Sequence, residues 1–115
     1  MSMEITKTLS VHDKNEWRTW LRENQDKEKE IWLVFYKKGT GKQTMSLTEA
    51  IDEAICFGWI DNVQKKVDDE RYTLRFTPRR PNSSWSKRTI ERAKRLIAEG
   101  KMTKSGLETL PGGIG

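Results

Sequence analysis

Six consecutive residues, Ile31-Trp32-Leu33-Val34-Phe35-Tyr36, carry only β-branched, aliphatic or aromatic side chains. In an extended chain successive side chains point to opposite faces, so this run is apolar on both. It is too short for a typical helix and rich in strand-forming types. It therefore predicts a central strand buried on both sides. Partners for it come later in the chain. Trp59–Val67 and Arg71–Thr77 are two strand-like runs around Asp68-Asp69-Glu70, the pattern of a hairpin with a three-residue loop. That loop pairs Val67 with Arg71, Val63 with Arg75 and Asp61 with Thr77. Tyr72, Leu74 and Phe76 then share a core face, with Ile60 beside them. Arg71, Thr73, Arg75 and Thr77 share a polar face with Asp61, which lies diagonal to Arg75.

Helices fill the intervals. Asp13 and Glu16 have capping-box spacing ahead of Trp17, Trp20 and Leu21, which predicts a helix over 13–23. Ser46 and Glu49 repeat the pattern before an apolar stripe of Leu47, Ala50, Ile51, Ala54 and Ile55, giving a helix over 47–57 that Gly58 ends. Ser86 caps a third helix over 87–99, with Trp85 placed to staple onto Ile90. Thr103 to Leu110 gives a short fourth helix, weakened by Gly106. The segment Lys37–Lys42, KKGTGK, lacks the Walker spacing and reads as a basic loop. The expected fold class is α+β: a small, mostly antiparallel sheet of about three strands with three to four helices packed on it. Residues 1–115 form a single domain, with 111–115 a disordered tail.

Composition decides whether such a chain folds. Leu, Ile, Val and Phe make up 23 of 115 residues, on the border where disorder sets in for charged chains. Five tryptophans, each able to bury about 200 Å², supply what the aliphatic residues lack. Trp17, Trp20 and Trp32 are expected in the core. No apolar run approaches the ~20 residues of a membrane span, and Met1–Lys7 has no signal-peptide character. The single Cys and single His, Cys56 and His12, cannot by themselves build a zinc site. The expectation is a cytoplasmic protein without a cofactor.

Charge is uneven. The chain carries a formal +5, whereas residues 79–104 alone hold nine basic and two acidic side chains. Such a footprint suits an anionic partner, or else a solvated helix face. Cys56 is a poor nucleophile candidate, because a helix C-terminus opposes thiolate formation; a small buried residue is expected instead. Asp61 is unusual in a strand and either orients Arg75 or a ligand, or makes a cross-strand ion pair. The segment from Arg75 to Ser86 gathers guanidiniums, hydroxyls and Trp85 at a helix N-terminus. An anion could sit between Arg75, Arg79 and the Ser86 end.

These residues also carry a resemblance. Cys56-Phe57-Gly58-Trp59-Ile60-Asp61, then Thr77-Pro78-Arg79-Arg80-Pro81 and Ser84-Trp85-Ser86, resemble the YdeI/OmpD-associated family, also called bacteriocin-protection proteins. Further matches include Glu16-Trp17-Arg18, Trp32-Leu33 and Leu96 to Met102, and the similarity spans about residues 9–107. The resemblance implies protection against bacteriocins or envelope stress. It marks Gly58, Trp59, Asp61, Thr77, Arg79, Ser84, Trp85 and Ser86 without assigning them roles. Where that family often has Gly after Trp-Ile-Asp, this chain has Asn62; where it often has Asn three residues after the serine of Trp-Ser, this chain has Thr89.

The leading expectation is a non-catalytic module binding an anionic ligand, a nucleic acid or a phosphorylated small molecule. The expected ligand-binding residues are Trp59, Asp61, Arg75, Thr77, Arg79, Arg80, Trp85 and Ser86. Arg75 and Arg79 act as clamps, Trp59 and Trp85 as walls and Asp61 as orienter. Two alternatives are an enzyme acting on an organic anion through Asp61 with Thr77 or Ser86, and a stress-related protein–protein adaptor.

Overall fold

A computed structural model describes residues 4–42, 45–80 and 85–111. Residues 112–115 of the expected tail, and Pro81–Ser84, fall outside them. The elements run β1 (Thr8–Leu9), α1 (Lys14–Asn24), β2 (Ile31–Tyr36), α2 (Leu47–Cys56), β3 (Trp59–Lys66), β4 (Arg71–Pro78), α3 (Lys87–Ala98) and α4 (Lys104–Leu107). They build an α+β fold around one four-stranded mixed sheet in the order β1-β2-β4-β3.

The apolar run is β2, and it lies inside the sheet. β4 pairs with it antiparallel from Ile31–Phe76 to Tyr36–Arg71. The fourth strand is the addition to the expected three. Thr8 and Leu9 pair parallel with Trp32 and Leu33. Two residues leave no alternation to detect, which is why the sequence pattern passes over them.

One face of the sheet is covered by helices. Ile31, Leu33, Phe35, Leu74 and Phe76 meet Trp17 and Leu21 of α1, Ala50, Ala54 and Ile55 of α2, and Ala93 and Leu96 of α3 in one buried core. Trp17 is fully buried; it stacks on Trp20 at 5.6 Å and tilts against Phe76 at 5.1 Å. Its indole N–H donates to the Ala50 carbonyl at 3.0 Å, so the polar atom of the most central aromatic is satisfied.

Helix starts follow the cap residues read from sequence. Ser46 and Glu49 close a full capping box at 3.1 and 3.0 Å. At α1, Asp13 accepts from the Glu16 N–H, while the Glu16 carboxylate turns to the His12 backbone and ring instead of closing the box. Helix α2 is the anchor of the helical layer. Its buried Glu53 takes Arg18 of α1 at 2.7 Å, and its Asp52 takes Arg92 and Arg95 of α3 at 3.4 and 2.8 Å. Arg18 also donates to the Lys101 carbonyl and lies over the Phe57 ring. Burial works against the Arg18 cation, but the hydrogen bond to Glu53 helps to outweigh it and raises its pKa.

Helix α2 ends at Gly58 (φ +78°), where a β-carbon would sit 2.7 Å from the Thr109 methyl and 3.0 Å from the Ser105 carbonyl oxygen. Cys56 is fully buried just before it, as expected. Its carbonyl accepts from both the backbone N–H and the hydroxyl of Thr103, which seats α4 against α2. No helix among the described residues is long and apolar enough to cross a membrane.

Candidate functional site

The hairpin register decides which side chains meet. Near its turn the expected pairing holds: Lys66 faces Tyr72, Lys65 faces Thr73 and the Val67 N–H donates to the Arg71 carbonyl. Between Asp61 and Gln64 the ladder shifts by one. Beyond that bulge Asp61 pairs with Phe76, Ile60 with Thr77 and Trp59 with Pro78. One extra residue reverses the face of everything after it. Asp61 therefore lies on the helical face with Phe76 and Trp59, not on the polar face with Arg75, and Ile60 lies on the opposite face. The expected Asp61–Arg75 diagonal does not form.

The eight candidate residues consequently fall into two groups. On the helical side, Trp59 is buried with its ring edge-on to Trp20 at 5.7 Å. Arg79 is buried, places its guanidinium 4.0 Å from the centre of the half-buried Trp85 ring, and donates its backbone N–H to the Gly58 carbonyl. Burial pushes the Arg79 pKa down, and the Asp61 charge opposes that. Ser86 is committed to capping: its oxygen accepts from the Thr89 N–H at 3.1 Å and bonds the Thr89 hydroxyl at 2.8 Å. The cavity beside Asp61, Trp59, Arg79 and Thr89 measures about 60 Å³. Small-molecule sites run to a few hundred Å³, so this one has room for little beyond water.

On the other face lies a groove of about 490 Å³. Its floor is the hydrogen-bonded chain Arg75–Asn62–Thr77. Arg75 Nε donates to Glu30 Oε1 at 3.0 Å, and its Nη1 donates to Asn62 Oδ1 at 3.1 Å. Asn62 Oδ1 also accepts from the Val63 N–H, and Asn62 Nδ2 donates to Thr77 Oγ1 at 3.0 Å. Two donors converging on one oxygen fix the amide's orientation. Lys29 and Arg80 rise at the rim, and Ile60, Val63 and Pro78 supply apolar wall. Beneath, Trp32 pairs with Arg75 across the strands, is wholly buried, and donates its indole N–H to Glu30. The Arg75 hydrogen bond holds the Glu30 carboxyl below its ordinary range, despite some burial.

Arg75 and Arg79 therefore do not form a joint clamp, since they sit on opposite faces. Trp59 and Trp85 do not wall the space that Arg75 lines. Arg75, Thr77 and Arg80 do come together. Part of the basic run over 79–104 is paired within the chain: Arg92 and Arg95 serve Asp52, and Lys101 lies 3.6 Å from Glu99. Lys87, Arg88, Lys94 and Lys104 make no ion pair among the described residues.

Residues 9–109 match a family described as a domain of unknown function, DUF8412. The chain belongs to this family. The DUF8412 span takes in both faces of the sheet and all three long helices. No curated protein and no solved structure matches the chain.

The sequence reading passes over Lys29 and Glu30, names Val63 only as the cross-strand partner of Arg75, and treats Asn62 only as a departure. The signal for Asn62 was present: an amide in mid-strand is disfavoured unless a bulge or a polar network needs it. Lys29 and Glu30 carry no such mark, because only the folded sheet brings the start of β2 against Arg75.

Proposed function

We propose that this domain is a non-catalytic module that binds an anionic ligand in the groove formed by Lys29, Asn62, Arg75, Thr77 and Arg80. One observation supports this reading. Every polar side-chain group lining the groove that still has bonding capacity can donate. Both acceptor positions of Asn62 Oδ1 are taken, by Arg75 and Val63. Thr77 Oγ1 accepts from Asn62, which leaves its own proton to give. Among the described residues, Arg75 Nη2 makes no hydrogen bond, and Lys29 and Arg80 have no carboxylate partner. Among the described residues no carboxylate lines the groove. A guest that accepts on several sides and carries negative charge fits such a surface.

Glu30 offsets part of the Arg75 charge, so Arg75 acts here as a fixed donor and Lys29 and Arg80 carry the net charge. Cytoplasmic residence, which rests on the short apolar runs and the single Cys, and a link to the YdeI/OmpD-associated proteins with a part in bacteriocin or envelope-stress protection, which rests on the sequence motifs, belong to the same proposal. The enzyme alternative through Asp61 draws no support from a cavity of about 60 Å³.

The test is a thermal-shift panel of inorganic phosphate, glucose 6-phosphate, hexanoate and a single-stranded oligonucleotide, run at several salt concentrations. At least one anion should raise the melting temperature by several degrees at saturating concentration. In the Lys29→Ala/Arg80→Ala double variant, whose two sites are exposed, that shift should fall to well under half while the ligand-free melting temperature stays within about 2 °C. A wild-type protein indifferent to all four anions, or a variant that responds as the wild type does, would overturn the proposal.

A further inference from the structure

The groove combines its donors with an apolar wall, and that pairing narrows the guest. Ile60 and Val63 remain half-buried there and Pro78 is exposed. Ile60 reaches this face only because the bulge shifts its register opposite Thr77, and Val63 stands within the bulge itself. The bulge therefore sets two aliphatic side chains directly beside the Asn62–Thr77 donors. A bare inorganic anion would leave that wall in water. A strand of nucleic acid would call for aromatic faces on which to stack bases and for charge spread along its backbone. Among the described residues no aromatic side chain lines the groove, because Trp32 is sealed beneath Arg75. The free cations of α3, Lys87, Arg88 and Lys94, line neither the groove nor the Asp61 cavity. At about 490 Å³ the groove has the size of a small-molecule site.

We infer that the ligand is a small organic anion with a single head group, a carboxylate or a phosphate monoester, and a compact apolar body. The head is held by Arg75 Nη2, the Thr77 hydroxyl and the Lys29 and Arg80 cations. The body lies against Ile60, Val63 and Pro78. This inference rests on the anion-binding reading of the same groove.

Calorimetric titration of the wild-type protein with acetate, butyrate, hexanoate and octanoate tests it, alongside hexyl phosphate, inorganic phosphate and oligothymidylate. Kd should fall about two- to fourfold for each methylene buried, and hexyl phosphate should bind more tightly than inorganic phosphate. Comparing hexanoate with hexyl phosphate identifies the preferred head. Val63→Ser should flatten the dependence on chain length, whereas Lys29→Ala/Arg80→Ala should weaken the whole series and leave its slope intact. If inorganic phosphate or oligothymidylate binds as well as the longer-chain anions, or if chain length has no effect, the inference fails and the anion-binding reading stands. If none of these anions binds, both fall.

Discussion

A methyl group at Gly106 would run into the Cys56 carbonyl and lie 2.9 Å from the Ile55 carbonyl oxygen. Those atoms belong to the last turn of α2 and have nowhere to retreat, so the clash cannot be relieved by a rotamer change. Gly106→Ala should cost about 2 kcal/mol or more, read as a lower urea midpoint with unchanged slope. A variant as stable as the wild type would show that α4 is not seated on α2. From sequence alone Gly106 reads as a residue that weakens a short helix. The fold gives it the opposite value, because only a glycine lets α4 approach the Cys56 carbonyl that Thr103 already holds. Cap residues are legible in advance because each acts on its own next turn. Contact-dictated residues such as Gly106 and Lys29 are not, since their partners lie tens of residues away.

At the level of elements, the β3–β4 hairpin is held at its tip by Asp68. Its carboxylate accepts from the Arg71 guanidinium at 2.9 Å and from the Glu70 and Arg71 N–H groups at 2.9 and 2.8 Å. The Arg71 hydrogen bond, with the backbone donors, holds its pKa down to about 2, below the ordinary 3.8. A depressed folded-state value means that this interaction is fully stabilising above the ordinary value and is lost as pH falls from about 4 toward 2. Carboxyl carbon shifts in an acid titration should show Asp68 as the last aspartate to protonate. In Arg71→Gln its midpoint should climb toward, yet stay below, the ordinary value, because the two N–H donors remain. An unchanged midpoint would remove Arg71 from the explanation. The hairpin was readable from Asp68-Asp69-Glu70 and the flanking alternation, and its turn register was right. The bulge was not readable. Asn62 in mid-strand hints at a bulge or a polar network without saying which, so the extra residue has no fixed place in the sequence pattern, and the assignment of Ile60 and Asp61 to faces was inverted with it.

Across the whole molecule, stability depends on α2, which ties α1 through Glu53 and α3 through Asp52 and carries α4 on its last carbonyl. Opening that helix undoes three docking surfaces at once, so loss of structure should be concerted. Cys56 reports on it. Burial pushes its thiol pKa up, although the Arg18 hydrogen bond pulls the other way, and the side chain has no access to solvent. Iodoacetamide should label the native protein at least about a thousandfold more slowly than the urea-unfolded chain, in proportion to the open population. Rapid labelling without urea would mean that α2 opens by itself. The unpaired step in β3 has a genetic reading too. Losing one codon at the bulge would restore an unbroken ladder and leave Trp59, Ile60 and Asp61 opposite Pro78, Thr77 and Phe76 as they are now. A codon gained there would instead move Asp61 opposite Thr77 and exchange the contents of the two surfaces, so insertions in β3 should be far rarer than deletions or substitutions among descendants of this gene.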